Sequence, residues 1–174
     1  MIDLASYIRD VPDFPKPGII FKDITPLLGC AEALRETVSR LSAPYESLGV
    51  HAVVGVESRG FIFGALVAQR LGAAFVPIRK PGKLPAATVR EDYSLEYGTD
   101  AVELHADAVS KGEKVLIVDD LLATGGTMAA VATLVRQLGA EIVEVAFVVE
   151  LPPLEGRQKL AGLPIHALVE FMVE

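Results

Sequence analysis

Two adjacent carboxylates stand immediately before a glycine-rich loop in the second half of the chain. The apolar run VLIV at 115–118 leads into Asp119 and Asp120. The loop that follows consists of Ala123, Thr124, Gly125, Gly126 and Thr127. Glycines let backbone N–H groups approach a phosphate closely, and a helix that starts from the loop adds unpaired donors at its positive end. Paired carboxylates can accept hydrogen bonds from two vicinal hydroxyls. A phosphate beside a diol describes a ribose 5-phosphate, and we predict that this segment binds one.

A buried strand with an acidic turn and a capped helix would share this pattern. Neighbouring aspartates repel each other, however, and destabilise a fold unless they bind something. The segment is neither a Walker loop, because no Gly-Lys-Ser/Thr follows, nor a GxGxxG dinucleotide loop.

Two further polar segments follow apolar runs of strand length. The first is Glu57-Ser58-Arg59-Gly60, at the end of the run 52–57. An arginine there can bind phosphate oxygens as a fork, although a helix cap with a solvated arginine would look the same. The second segment, 78–85, brings together three cations, Arg79, Lys80 and Lys83. They could be a solvated loop, but beside a phosphate cradle they would neutralise an anionic leaving group.

Strand-sized apolar runs alternate with helical patterns along the chain. Strands are predicted at 52–57, 73–78, 114–120, 141–150 and 164–171, and helices at 2–10, 31–43, 60–72 and 124–139. This alternation favours an α/β fold in which helices flank a mainly parallel sheet of about five strands. Ligands bind beyond the carboxyl ends of such strands, where all three polar segments lie. The proline-rich segment 10–23 should be an extended arm, and 79–104 a long excursion with little core of its own.

The segment around Asp119 resembles the signature with which type I phosphoribosyltransferases bind 5-phosphoribosyl pyrophosphate (PRPP). Glu57 to Gly60 resembles the pyrophosphate loop of the same enzymes. Four segments, in the same order, narrow the resemblance to the adenine phosphoribosyltransferase family. They are FPKPGIIFKDITPLL at 14–28, RKPGKLP at 79–85, YSLEYG at 93–98 and VDDLLATGGT at 118–127. The resemblance covers about residue 10 to residue 160, with Lys22 where several members have Arg and Glu57 where some have Asp.

The resemblance implies a type I phosphoribosyltransferase fold over 1–174, with residues of about 1–30 forming a hood and 79–104 a flexible catalytic loop region. The implied reaction joins adenine N9 to C1 of PRPP, giving AMP and pyrophosphate through an oxocarbenium-like transition state. A cis Glu57–Ser58 peptide bond and a homodimer are implied as well. Magnesium would be carried mainly by the pyrophosphate of PRPP, with no protein ligand assigned.

The resemblance also implies residue roles. Glu96, Arg59 and Tyr97 are the catalytic candidates, with Glu96 as an acid/base or an orienting group. The sugar phosphate would be bound by Asp119, Asp120 and the loop 123–127. Pyrophosphate would be bound by Glu57, Ser58, Arg59, Gly60, Arg79, Lys80 and Lys83. Adenine would be bound by Ile20, Phe21 and Lys22, where Phe21 either walls the purine or only packs within the hood.

Composition limits the other classes of function. The net charge of −7 without a basic block argues against binding to nucleic acid. The single cysteine, Cys30, allows no intramolecular disulfide and fits a reducing compartment. Because the first residues lack an apolar core and no stretch of 18 apolar residues occurs, we expect a cytoplasmic protein without membrane contact. Two alternatives remain, a phosphoribosyltransferase for another nucleobase and a non-catalytic PRPP-sensing regulator. The regulator should lack the pyrophosphate-side cations or the catalytic loop, and this chain has both.

Overall fold

The structure is a computed structural model, and it describes residues 2–94 and 98–172. In chain order, the elements are β1 (Arg9–Pro12), β2 (Ile20–Asp23), α1 (Thr25–Gly29), α2 (Ala31–Ser42), β3 (Ala52–Val56), α3 (Arg59–Leu71), β4 (Ala74–Ile78), β5 (Thr88–Ser94), β6 (Thr99–His105), β7 (Lys114–Leu122), α4 (Gly126–Gln137), β8 (Glu141–Glu150), α5 (Gly156–Lys159) and β9 (Ile165–Glu170). Short 3-10 helices occupy Leu4–Tyr7, Ala43–Tyr45 and Pro152–Leu154. Among the described residues, no helix is long and apolar enough to cross a membrane.

A five-stranded parallel sheet in the order β4-β3-β7-β8-β9 forms the centre of the protein. All five residues of β3 are buried, as expected for a strand covered by helices on both faces. Val54 and Ile117 face the side that α4 covers, whereas Val53 and Leu116 face the side that α2 and α3 cover. The α/β fold with about five parallel strands is therefore confirmed.

The strand order places a crevice at the carboxyl ends of β3 and β7. The chain crosses from β3 through α3 to β4 on one side, and later returns to place β7 on the other side of β3. Helices that follow β3 and β7 thus start on either side of the same gap. Open α/β sheets bind ligands at such a switch point, so the topology itself brings the first two polar segments together.

The predicted arm at 10–23 is a β-hairpin. Strands β1 and β2 pair antiparallel, with Arg9 opposite Asp23, and flank the proline-rich connection in which Phe14–Pro15 is cis. The helix predicted at 2–10 is shorter in the structure. It is a 3-10 helix that ends at Tyr7, before β1 begins. Pairing between β1 and β2 gives this proline-rich segment backbone hydrogen bonds that its local sequence does not predict.

The excursion predicted for 79–104 also contains a hairpin. Strands β5 and β6 pair antiparallel, and β6 buries Ala101, Val102 and Leu104. Val102 and Leu104 belong to the same hydrophobic core as α4, so the segment is anchored through the main core of the protein. The apolar residues of β6 are few, and it is their contact with the sheet and α4 that makes them core residues.

Candidate active site

A cavity of about 380 Å³ opens at the carboxyl ends of β3 and β7. Its wall is formed by residues 56–59, Lys80 and residues 119–128. The predicted diol-binding carboxylates, the predicted phosphate loop (residues 123–127, called the phosphate loop below) and part of the predicted pyrophosphate loop therefore face one space.

The loop at 123–127 depends on two glycines in contact. Gly125 has φ of 77°, in the left-handed region, and a Cβ on it would lie 2.3 Å from the carbonyl oxygen of Gly156. A Cβ on Gly156 would in turn lie 2.3 Å from the carbonyl oxygen of Ala123. Since Gly125 supplies no side-chain cap to α4, the first N–H groups of this helix stay available to an anion.

The carboxylates of Asp119 and Asp120 lie at the floor of the cavity. Asp119 Oδ1 accepts a hydrogen bond from the backbone N–H of Asp120 at 2.9 Å. Asp120 is buried, and its Oδ2 lies 2.9 Å from Nε of Arg59 but receives no hydrogen bond of normal geometry from the described residues. This leaves an acceptor oxygen for which a ligand hydroxyl could provide the donor.

Burial and mutual repulsion perturb this acidic pair. Burial raises the pKa of Asp119 well above its usual range, and the neighbouring Asp120 carboxylate raises it further. Burial also raises the pKa of Asp120, although the nearby charge of Arg59 opposes this effect. Perturbed carboxyl groups in a cleft are typical of functional sites, where burial and neighbouring charges shift pKa values.

The predicted pyrophosphate loop connects β3 to α3. The Glu57–Ser58 peptide bond is cis, as the resemblance implies. The Glu57 carboxylate accepts hydrogen bonds from the backbone N–H of Lys80 and from Nη2 of Arg79, the latter at 3.2 Å. Although burial opposes it, these bonds hold the pKa of Glu57 below its usual value. Glu57 thus joins the ends of β3 and β4 through a charged carboxylate.

The three predicted cations at 79–83 occupy different positions. Lys80 lines the cavity, whereas Arg79 and Lys83 do not. The Arg79 guanidinium is held by Glu57 and lies 6.0 Å from the centroid of the Phe61 ring. Lys83 is exposed.

Lys80 belongs to a polar network between the β5–β6 hairpin and α4. Its ammonium group donates hydrogen bonds to the carboxylate of Asp100 and, at 3.0 Å, to the hydroxyl of Tyr93. Tyr93 donates to Asp100 Oδ2 at 3.2 Å and accepts from Thr127 Oγ1 at 3.2 Å. We refer to Lys80, Tyr93, Asp100 and Thr127 as the Lys80 network.

The predicted adenine-binding residues lie on β2, in the segment predicted to form the hood. Lys22 is buried, and its ammonium lies 2.5 Å from Asp10 Oδ1 and 4.3 Å from the centroid of the Phe171 ring. Phe21 lines a separate hollow of about 270 Å³ with Val11, Phe14 and Asp23. The Arg59 guanidinium lies 5.1 Å from the centroid of the Phe21 ring and so connects the hollow to the cavity.

Comparison with known proteins identifies the family. The sequence-family model for the phosphoribosyl transferase domain matches residues 25–160 of this chain. Adenine phosphoribosyltransferase of Chloroflexus aurantiacus is 55% identical over 169 residues, which cover 97% of this chain and 98% of that protein. That of Acaryochloris marina is 56% identical over 170 residues, covering 98% of this chain and 100% of that protein. This chain belongs to the adenine phosphoribosyltransferase family.

Solved structures of the adenine phosphoribosyltransferase family agree with this assignment. The enzyme of Thermoanaerobacter pseudethanolicus superposes with a TM-score of 0.93 at 51% identity, covering 97% of this chain and 98% of that one. The Saccharomyces cerevisiae enzyme, in complex with adenine and an imino-altritol bisphosphate, gives a TM-score of 0.90 at 39% identity, with coverage of 95% and 96%. The similarity thus extends over nearly the whole length of both chains.

In this member of the family, the structure gathers some of the predicted residues and not others. The cavity wall contains all seven predicted sugar-phosphate residues together with Glu57, Ser58, Arg59 and Lys80. Gly60 adjoins Asp119 directly. Arg79, Lys83 and the hood residues Ile20, Phe21 and Lys22 lie outside that wall. The catalytic candidates Glu96 and Tyr97 fall outside the described residues.

Sequence reasoning missed three contributors to the site. Tyr93 and Asp100 meet because the register of β5 and β6 puts them opposite each other. Gly156 reaches the phosphate loop from the C-terminal segment. The sequence around Asp100 and around Gly156 contains no local pattern that would have predicted these contacts.

Proposed function

We propose that this protein transfers the 5-phosphoribosyl group of PRPP to N9 of adenine, giving AMP and pyrophosphate. The observation that carries the proposal is the shared cavity. The loop 123–127 and the carboxylates of Asp119 and Asp120 line it together with Arg59 and Lys80. PRPP carries the groups that such a set of residues would bind, a 5′-phosphate, a diol and a pyrophosphate.

The ribose 5-phosphate end would be held by the loop 123–127 and by the two carboxylates that precede it. The open N–H groups at the start of α4 and the backbone of 123–127 would bind the phosphate. Asp119 and Asp120 would accept hydrogen bonds from the ribose hydroxyls. Rigid attachment at both points fixes C1 relative to the incoming base, which lowers the entropic part of the barrier.

The pyrophosphate group gains negative charge as its bond to C1 breaks, and nearby positive charge would stabilise it. Arg59 and Lys80, which line the cavity together with Ser58, would stabilise the leaving group. The backbone amides of Ser58 and Gly60 would add donors to the same anion. We assign Arg79 and Lys83 an outer role in the same site. Glu57 would act through its backbone and through its hold on the end of β4, because its carboxylate is already occupied.

Glu96 and Tyr97 complete the catalytic assignment. We propose that Glu96 manages or orients the N7–H/N9–H proton of adenine as the base attacks, and that Tyr97 covers the site. The residues on either side of them belong to the β5–β6 hairpin, whose Tyr93 is joined to Thr127 of the phosphate loop. This connection brings the end of β5 to the start of α4.

Adenine would bind between the hood and the sheet. Because the Lys22 side chain is committed to Asp10, its backbone and that of Ile20 are the groups available to read the purine edge. The ring of Phe21, with Arg59 on it, would cover one face of the base. A 6-oxopurine needs a donor for its oxo group, and the buried, paired Lys22 is a poor source, which favours adenine over the other nucleobases.

Magnesium is proposed to enter with PRPP. Within residues 2–94 and 98–172, no cluster of three or more His, Cys, Asp or Glu side chains could hold a metal ion by itself. The donor set nonetheless fits Mg²⁺, which accepts a few carboxylate oxygens together with oxygens of the substrate phosphates. Glu57, Asp119 and Asp120 are carboxylates that line the cavity. When bound, the ion would add positive charge against the leaving pyrophosphate.

We further propose that the protein is a cytoplasmic homodimer without nucleic-acid or membrane partners. Support for the dimer comes from α3, on which Ile62 and Leu66 are each 37% exposed. Leu66 also lines an apolar hollow of about 310 Å³ with Leu34 and Val38 of α2. Solution scattering at micromolar concentration tests this, and a monomer would refute it.

An AMP-formation assay tests the proposed function. Purified protein receives Mg²⁺, PRPP and either adenine, hypoxanthine, guanine, xanthine or uracil, and the nucleotide product is followed spectrophotometrically. We expect adenine to be used at least about 100-fold more efficiently than the oxo bases, as for a site that reads hydrogen bonds. Comparable rates with an oxo base would favour the other-nucleobase alternative. PRPP binding without turnover on any base would favour the regulator.

A further inference from the structure

The Lys80 network contains an acidic side chain, Asp100, in contact with a cation that lines the cavity. Asp100 lies on β6, opposite Tyr93, and its carboxylate contacts the Lys80 ammonium directly. Lys80 also lines the cavity, on the side proposed for pyrophosphate. One ammonium group thus serves two possible anions, the carboxylate of the protein and the phosphate of the ligand.

Both partners of this contact are charged near neutral pH. Hydrogen bonding from Lys80 lowers the pKa of Asp100 below its usual value. The pKa of Lys80 is raised, since Asp100 and Tyr93 outweigh the burial that opposes them. The side chains are 39% exposed at Lys80 and 32% exposed at Asp100, so the pair is partly solvated and can be broken at moderate cost.

The same network reaches the other end of the cavity. Thr127, which lies in the phosphate loop, donates its hydroxyl hydrogen bond to the hydroxyl of Tyr93. A 5′-phosphate would compete with Tyr93 for that donor, just as a pyrophosphate would compete with Asp100 for Lys80. The β5–β6 hairpin therefore holds one binding group from each end of the site in exchangeable contacts.

We propose that Asp100 is a positioning residue that competes with pyrophosphate for Lys80 and thereby limits how tightly both PRPP and pyrophosphate bind. This inference rests on the proposed function. When the ligand enters, Lys80 exchanges the carboxylate for phosphate oxygens. When pyrophosphate leaves, Asp100 takes back the ammonium group, so that the product has no unpaired cation to hold it.

The test compares pyrophosphate with AMP as ligands of the complete protein. Calorimetric titration with Mg²⁺-pyrophosphate should show about fivefold tighter binding to Asp100→Asn than to wild type. Breaking a partly exposed ion pair changes an affinity by about that factor. AMP affinity should not change, because AMP has no pyrophosphate. The KM for PRPP should fall in parallel, and product inhibition by pyrophosphate should strengthen.

Asp92→Asn is the matched control. Asp92 is on the same hairpin but pairs with Arg90, so its neutralisation removes the same charge without releasing Lys80. It should leave both affinities as in wild type. In a Lys80→Met background, Asp100→Asn should no longer tighten pyrophosphate binding. Asp100→Ala should reproduce the Asn result and provides a second variant should the first fail to fold.

Unchanged or weaker pyrophosphate binding by both Asp100 variants would overturn the inference while leaving the proposed function intact. Equal tightening by Asp92→Asn would overturn it too, because general charge would then explain the effect. A wild-type protein that binds neither PRPP nor pyrophosphate would overturn the proposed function and this inference together.

Discussion

Gly60 packs against the carboxylate of Asp119 so closely that a Cβ atom at position 60 would lie 2.6 Å from Asp119 Oδ1. Helix α3 and strand β7 therefore approach each other at the floor of the cavity only because position 60 has no side chain. The contact also limits where the Asp119 carboxylate can point. A glycine of the predicted pyrophosphate loop thus sets the position of a predicted ribose ligand.

Gly60→Ala should displace Asp119 and weaken PRPP binding by about tenfold or more, with a stability loss of about 1–3 kcal/mol from overpacking. PRPP affinity by calorimetry and a denaturant titration measure the two effects. Gly29→Ala is the matched control, because a Cβ there has nothing within 4 Å and the variant should behave as wild type. Normal PRPP affinity in Gly60→Ala would show that Asp119 tolerates another position.

Gly156→Ala should damage the phosphate loop from outside the cavity. Its Cβ would lie 2.3 Å from the Ala123 carbonyl oxygen, and backbone cannot rotate away as a side chain can. We expect AMP affinity to fall about tenfold while pyrophosphate affinity stays within about twofold, together with about 1–3 kcal/mol lost in stability. Gln158→Ala, an exposed neighbour on α5, serves as control. A parallel loss for both ligands would point to general unfolding instead.

PRPP binding should weaken on acidification at a higher pH than ordinary aspartates would predict. The pKa of both Asp119 and Asp120 is raised in the folded protein, and a protonated carboxyl accepts hydroxyl donors poorly. Calorimetric titrations of PRPP across the acidic range measure the effect. The affinity for Mg²⁺-pyrophosphate, measured over the same pH range, is the control for protonation of the ligand itself. Binding that stays constant down to the usual aspartate range would contradict the perturbation.

The same pair predicts a pH-dependent change in stability. Because the folded-state pKa of Asp119 exceeds its unfolded value, the folded protein binds more protons between the two values, and stability falls as pH rises through that window. Asp119→Asn stays neutral throughout and should be more stable than wild type near pH 8, by on the order of 1 kcal/mol, but not at acidic pH. Its PRPP affinity should fall about 10- to 100-fold, as expected when hydrogen bonds to a charged group are lost. Equal melting temperatures at both ends of the pH range would argue that the pair is not strained.

Glu96→Gln tests the catalytic assignment in the segment outside the described residues. General acid/base chemistry contributes about 100-fold or more, so turnover should fall by that amount. PRPP affinity and melting temperature should remain as in wild type. Asp92→Asn, on the same hairpin, provides a control for surface charge. Wild-type turnover in Glu96→Gln would remove this residue from the mechanism.

The sequence by itself determined the parallel sheet and predicted the centre of the candidate site. Buried runs such as 115–118 and the glycine-closed helices after them carry local signals, because burial on both faces demands continuous apolar residues and helices demand periodic ones. The carboxylates and the phosphate loop follow β7 directly in the chain. Their mutual position is therefore set by one strand–loop–helix unit, and the residues alone predicted their chemistry.

Only the tertiary structure decided which distant residues complete that unit. The hairpins β1–β2 and β5–β6 arise from pairing between short strands, each too weakly patterned to be recognised alone. Asp100 acquires its contact with Lys80 through strand register, and Gly156 meets the phosphate loop through backbone packing. The Lys22 side chain points to Asp10 because the hood buries it there. Contacts of this kind depend on the free energy of packing segments far apart in the chain, which no local spacing of residue types encodes.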